Sequence, residues 1–280
     1  MDPSSLLVPV VGAQDLAQIP AIFRGLTPRD KQGIAAAYFT STAFFDRNAG
    51  RILRLLQDAG LSENTIVVFL GDHGYMLGEH GRFEKHCFYE EAVRAPLAIV
   101  WPGRIAPARS SALVEFLDVA PTVLELVGVP APPEMTGRSL AALLQGKTRT
   151  HRENVVSVYT ENQEAMLRDG GYKFIACAGT REREDGYKTG DPPGGRMRRL
   201  YDLQADPAEN LDLAGDAAQS GRIARMEQTL AERLRARYFL NVPKFASAAD
   251  ALDWLASPRD RKSTRLNSSH SSVSRMPSSA

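Results

Sequence analysis

At 280 residues, with 34 basic and 33 acidic side chains, the chain can form one large domain or a domain with an appendage, and its formal charge of +1 gives no overall pull toward nucleic acid. An apolar content of 43% is ordinary for a globular protein, and no run approaches the roughly 20 apolar residues of a membrane span. Two cysteines, Cys87 and Cys177, form neither a C-x-x-C pair nor a disulfide framework.

The opening "MDPSSLLVPVVGAQ" lacks the basic flank of a signal peptide, which leaves the compartment open. Thr27-Pro28-Arg29-Asp30 predicts a capped helix start, with threonine at N-cap, proline at the first helical position and an acid at the third. Ile34, Tyr38, Phe45, Ile52 and Leu56 continue at near-helical spacing until Gly60, with a kink expected near Gly50 and packing roles for Asp46 and Gly50. "NTIVVFL" (64–70) predicts a strand buried on both faces and "PLAIVW" (96–101) a second. Helical patterns return at "LDVAPTVLELVG" and "GRSLAALLQG", so the chain alternates as an α/β protein does, with helices on the faces of a sheet.

Beyond about Gly146, "ENVVSVYT", "AMLRDGGYKFI" and "RMRRLYDLQ" predict short antiparallel strands, and "GRIARMEQTLAERLRARYFL" an amphipathic helix. The stretch 179–197 reads as a solvated loop. From Arg261 the sequence carries eight serines in twenty residues with almost no apolar periodicity, and 259–280 reads as a disordered, non-native tail.

One stretch concentrates reactive side chains: "FLGDHGYMLGEHGRFEK", residues 69–85. If 64–70 is a parallel strand, Gly71 to Gly74 lie just past its carboxyl end, where open α/β sheets bind ligands. Asp72 offers hard oxygen ligation, His73 an imidazole nitrogen, and Lys85 a compact cation suited to an oxyanion. Taken alone, the Asp-His pair fits a cap plus a satisfied histidine better than a metal site, and Lys85 fits a solvated charge better than an anion contact.

The runs "YFTSTAFFDRNAGRILRLLQDAGLSENTIVVFLGDHGYMLGEHG", "RAPLAIVWPGRI", "LDVAPTVLELVGVPAPPEMTGRSLAALLQG", "MLRDGGYKFI" and "LYDLQADPAENLDLA" together resemble, in order, the second half of sulfatases in the alkaline phosphatase superfamily. The G-D-H-G-x-x-L-G-E-H-G form is most similar to the subgroup holding iduronate-2-sulfatase and choline sulfatase. The resemblance implies an alkaline-phosphatase-like α/β fold, a mixed and mostly parallel sheet flanked by helices, with a small antiparallel subdomain. It divides the chain into 1–146 (catalytic-domain part), 147–258 (smaller subdomain with terminal helix) and the 259–280 tail. It makes Asp72 and His73 ligands of a divalent metal, usually Ca2+, although nitrogen ligation is unusual for that ion. It makes Lys85 the catalytic sulfate contact and leaves His80, beside Glu79, open between substrate binding and loop packing. His86 and Cys87 take no family role.

Sulfatases attack sulfur with a formylglycine made from the cysteine or serine of an early C-x-P-S-R or S-x-P-x-R motif. Neither Cys87 in "HCFYEEA" nor Cys177 in "ACAGTRE" lies in one. The resemblance therefore implies a chain without roughly the first half of the catalytic domain, inactive alone. The implied function is sulfuric-ester hydrolysis of a small sulfate ester or a sulfated glycan, with no nucleic acid and no membrane span. Two alternatives stay open: a phosphatase or phosphonate monoester hydrolase of the same superfamily, and a non-catalytic homologue that binds anionic sugars.

Overall fold

The longest element begins where the Thr27 cap ends. In the computed structural model, which describes residues 2–16, 19–159, 163–177, 196–238, 247–248 and 250–251, two short helices, α1 (Ala13–Leu16) and α2 (Ala21–Arg24), lead into α3 (Pro28–Asp58). The Thr27 hydroxyl accepts from the Asp30 N–H at 3.2 Å, and the Asp30 carboxylate accepts from the Thr27 N–H at 2.9 Å. Two donors that the helix cannot use internally are thus satisfied. α3 runs unbroken through Gly50, without the expected kink. Asp46 is exposed, and a side chain at Gly50 would meet nothing nearer than Arg54, so neither has the packing role expected of it. Only Ala35 and Ala36 of α3 are fully buried, while Phe44, Phe45, Ile52 and Leu55 are more than half exposed.

β1 (Val67–Leu70) pairs antiparallel with β2 (Leu97–Val100), with the four-residue α4 (Glu90–Val93) between them. The expected parallel strand, buried on both faces, is therefore not what forms within this chain. The connection folds back as a loop and one helical turn instead of crossing a sheet face, which returns β2 antiparallel. Phe69 and Leu70 remain more than 40% exposed. Helices α5 (Val119–Leu126) and α6 (Ala141–Leu144) follow.

Strands β3 (Asn154–Tyr159), β4 (Glu164–Asp169), β5 (Tyr172–Cys177) and β6 (Met197–Asp202) then form an antiparallel sheet in sequential order. Gly170 and Gly171 alone separate β4 from β5, and Gly170 takes the left-handed φ of 57° that a two-residue hairpin needs. Alternation along these strands covers both faces. Ala165, Leu167, Phe174, Ala176 and Leu200 pack against Ile223, Met226, Leu230 and Leu234 of α7 (Ser220–Tyr238). Met166, Ile175 and Tyr201, on the opposite face, pack against Met76, Phe88, Tyr89 and Ala92. The sheet is thus the floor beneath the segment that carries the Asp-His motif. No described helix is long and apolar enough to cross a membrane. All but the last two residues of 179–197, and the whole of 259–280, lie outside the described residues.

Candidate active site at the end of β1

Glycines shape the segment after β1. The Gly71 N–H donates to the Pro96 carbonyl at 3.0 Å, and the Gly74 N–H donates to the Ala92 carbonyl at 2.7 Å. A Cβ at Gly74 would stand 1.8 Å from the Glu91 carbonyl oxygen, so only glycine lets this turn lie on α4. The chain then doubles back, with the Met76 N–H donating to the Glu84 carbonyl (2.7 Å) and the Gly78 N–H to the Arg82 carbonyl (2.9 Å). The tip turns through left-handed backbone at His80 (φ 51°) and Gly81 (φ 68°). This fold-back brings residues 73 and 85, twelve apart, face to face.

The Lys85 ammonium donates to His73 Nε2 at 2.7 Å, and His73 Nδ1 stands 2.7 Å from the Gly74 carbonyl oxygen. A carbonyl can only accept, so Nδ1 carries the proton and Nε2 presents its lone pair to the lysine. The Asp72 carboxylate, 84% exposed, lies 3.4 Å from the same nitrogen, a longer contact that does not displace this assignment. A carboxylate oxygen, an imidazole lone pair fixed by a backbone acceptor, and an exposed ammonium therefore meet at the end of β1. The structure brings together the three residues that the resemblance singled out.

The pair suits a divalent cation in kind. Its nitrogen already faces a cation, and its N–H partner is of the sort that orients metal-ligating histidines. Among the described residues no group of three or more His, Cys, Asp or Glu side chains is placed to hold a metal. Asp72 and His73 thus offer two donors, fewer than the three such a site would need from His, Cys, Asp or Glu side chains.

His80 lies elsewhere. Its ring stacks on Tyr89 with centroids 3.6 Å apart, and its Nδ1 is 3.0 Å from the Asp15 carboxylate, both side chains being about 95% buried. Arg199 donates to the Tyr89 hydroxyl at 3.4 Å, and burial pushes that phenol's pKa well up. Glu79 accepts from the Leu77 N–H at 2.7 Å, and His86 stacks on Tyr159. Burial pushes the Cys87 thiol up to about 12, and Cys177 is buried in β5, so neither is an activated nucleophile.

Two charge networks escaped the sequence reading. In the first, fully buried Lys173 of β5 donates to the Phe88 carbonyl (2.8 Å) and pairs with Glu90 (2.9 Å) and Glu209 (2.8 Å). Glu90 also accepts from Arg168 at 2.7 Å, and its own N–H donates to Glu209 at 2.7 Å. Burial raises the Glu209 carboxyl, with Lys173 offsetting only part of it. On Glu90, Lys173 and Arg168 outweigh burial and hold the carboxyl low. In the second network, fully buried Asp118 accepts from the backbone N–H groups of Glu115 (2.9 Å) and Arg138 (2.8 Å), from His151 (3.1 Å) and from Arg152, while Glu115 accepts from Arg233 of α7 at 2.8 Å. Lys173 and Glu209 sit inside quoted motifs, "GYKFI" and "DPAENL". Only their three-dimensional partners show what they do.

The family model described as "N-sulphoglucosamine sulphohydrolase, C-terminal" matches residues 78–236, and the one described as "Sulfatase" matches residues 13–129. A sulfatase of Formosa agariphila is 30% identical over 225 residues, covering 80% of this chain and 41% of that protein. A solved structure of a protein in complex with its substrate D-glucosamine-2-N,6-O-disulfate is 30% identical, with a TM-score of 0.63 over 78% of this chain and 42% of that one. The phosphonate monoester hydrolase of Silicibacter pomeroyi is 25% identical, with a TM-score of 0.68 over 86% and 53%. The chain thus spans about two fifths of the length of the Formosa relative.

Proposed function

The chain belongs to the sulfatase family of the alkaline phosphatase superfamily, and from that premise we propose that it serves sulfuric-ester hydrolysis, with residues 72–85 as one wall of the sulfate site. The observation that carries this reading is the meeting of Asp72, His73 and Lys85 at the end of β1. Asp72 and His73 are the residues that would hold the family's divalent metal, here read as Ca2+. When bound, the ion supplies Lewis-acid polarisation of a sulfate oxygen. Nε2 has a single lone pair, so Lys85 and a metal ion compete for it. The long, exposed lysine is then the group free to meet the anion, where its charge offsets the negative charge that develops on the transferred group. The nucleophile is assigned to no residue of this sequence, since neither cysteine lies in the formylglycine motif. Of its two open roles, His80 is read here in loop packing, since its buried ring is bonded to Asp15 and stacked on Tyr89.

For substrate, a sulfated sugar is favoured, because the structural relative that matches 78% of this chain carries a glucosamine disulfate. The phosphonate hydrolase likeness keeps one second reading, a phosphonate monoester substrate on the same metal platform.

The test is steady-state kinetics on aryl sulfate and aryl phosphonate esters, with calcium titration, using the enzyme as its host produces it. Asp72→Ala should abolish most turnover and weaken metal binding. His73→Asn should be milder, since an amide oxygen suits calcium. Lys85→Ala should lower kcat/KM by about 10²- to 10³-fold without weakening metal affinity. Wild-type kcat/KM in Lys85→Ala, or normal calcium affinity in Asp72→Ala, would overturn the assignment. A higher kcat/KM on the phosphonate would select the second reading.

A further inference from the structure

The contacts that orient His73 and Lys85 rest in turn on residues farther along the chain. His73 takes its orientation from the Gly74 carbonyl, and Gly74 lies on the backbone of residues 91 and 92, pinned by its bond to the Ala92 carbonyl. Those residues belong to α4, a helix of four residues, too short to hold itself without outside contacts. Its first residue, Glu90, is gripped at both ends: the N–H by Glu209, the carboxylate by Lys173 and Arg168. Phe88, whose carbonyl accepts from Lys173, comes three residues after Lys85. One buried ammonium thus stands behind both the imidazole and the site cation.

Two further observations agree. Arg168 and Lys173 fall on the site-facing side of β4 and β5, in step with Met166 and Ile175, and the fully buried Lys173 there needs matching charge. Glu209, which bonds both Lys173 and the Glu90 N–H, holds a left-handed φ of 54°, uncommon for a residue with a side chain and kept only where its surroundings over-determine it.

We propose that Lys173 is a positioning residue of the sulfate site, a buried cation that sets the placement of both His73 and Lys85 through the Glu90 carboxylate and the Phe88 carbonyl. The proposal rests on the assignment of Asp72, His73 and Lys85 above. It assigns a task to two motifs, "GYKFI" and "DPAENL", that lie outside the metal-and-sulfate stretch.

Lys173→Met keeps the volume and removes the charge. Arg168→Gln removes one tie on Glu90 at the wall of an open cleft of about 360 Å³, where the loss is tolerated without a new cavity. Both are compared with the parent by kinetics on an aryl sulfate and by long-range 1H–15N NMR of the imidazoles, using the enzyme as its host produces it. In the parent, His73 should be a single Nδ1–H tautomer. Lys173→Met should mix the tautomers in the calcium-free protein, where no ion holds Nε2, and lower kcat by about 10- to 100-fold at saturating substrate and calcium, the scale of a displaced catalytic group. Arg168→Gln should move both readouts the same way, by a few-fold. A folded Lys173→Met that loses only melting temperature, with tautomer and kcat unchanged, overturns the proposal. If that variant does not fold, unchanged readouts in Arg168→Gln overturn it instead. Asp72→Ala, run alongside, tells the two levels apart. Normal metal affinity there refutes the site itself, whereas the His73 tautomer judges Lys173 without reference to turnover.

Discussion

The four-stranded sheet and the β1–β2 pair are built from similar short strands, yet they are stabilised differently. The sheet places α7 on one face and the site segment on the other, and Leu167, Phe174, Leu200, Leu230 and Leu234 have no measurable exposure. Each such side chain contributes about 1.5–3 kcal/mol on leaving water. β1 and β2 share a four-residue ladder, and beside them α3 shows a row of aromatic and aliphatic side chains to solvent. The sheet holds itself, and the site at the end of β1 is ordered mainly from below, through Phe88, Tyr89, Glu90 and Ala92.

Removing the buried carboxylate that ties the segment around α5 to the sheet side should have the largest effect. Asp118, just before α5, ties Arg138 and Arg152 together, and its neighbour Glu115 reaches Arg233 on α7. Asp118→Ala takes from the buried Arg152 guanidinium its nearer carboxylate, leaving Glu115 at 3.5 Å, and should cost about 3–5 kcal/mol in urea denaturation. Burial alone would raise the Asp118 carboxyl, but the Arg152, Arg138 and Glu115 donors outweigh it and hold it below the usual range. Its stabilising share is therefore full above the unfolded carboxyl pKa, about 3.9, and is lost as pH falls through the lower folded value. Asp118→Asn should flatten that acid-side loss. A variant with the parent's stability and the parent's acid profile would show the tie to be idle.

Much of the small sheet was legible because its information is local. A Gly-Gly turn between two alternating runs specifies β4 and β5, and a Thr-Pro-x-Asp start specifies α3. That Asp72, His73 and Lys85 belong together was implied by the resemblance alone. The direction of β1 was not legible, because an apolar run does not say which strand it will meet. Lys173, Arg168 and Arg199 alternate with apolar residues in the way a solvated face does, and the sequence cannot show that residues 76–92 cover that face. Asp15 and Glu209 lie 65 and 119 residues from their partners His80 and Glu90, distances over which single-sequence pattern carries no signal.

A core truncation on the sheet side should come next in size. Leu230→Ala removes a fully buried α7 side chain from the face formed by Leu167, Phe174 and Leu200 and should cost about 2–5 kcal/mol. Hydrogen exchange should then accelerate in β4 and β5 more than in α3. Equal acceleration in both would mean that the two regions unfold as one unit and that the contrast drawn here does not exist.

The smallest effect is expected on α3, and it sharpens the contrast most. Phe45 is 54% exposed and meets Phe69 of β1 at 5.9 Å in a tilted ring contact. A half-exposed ring with one aromatic neighbour has little transfer energy to lose, so Phe45→Ser should change unfolding free energy by about 0.5 kcal/mol or less in dilute solution. The same substitution interrupts an apolar row that includes Phe44, Ile52 and Leu55, so it should reduce dye binding and raise the concentration at which the 280-residue chain aggregates. Measuring both quantities on one sample separates two explanations. A cost of several kcal/mol that grows with protein concentration would mean that this face is covered in solution by a second copy of the chain, and Phe45 would then belong with Leu230 as a buried residue. A concentration-independent value near zero, with improved solubility, leaves the sheet as the part that folds by its own core and α3 as the part whose apolar face is open.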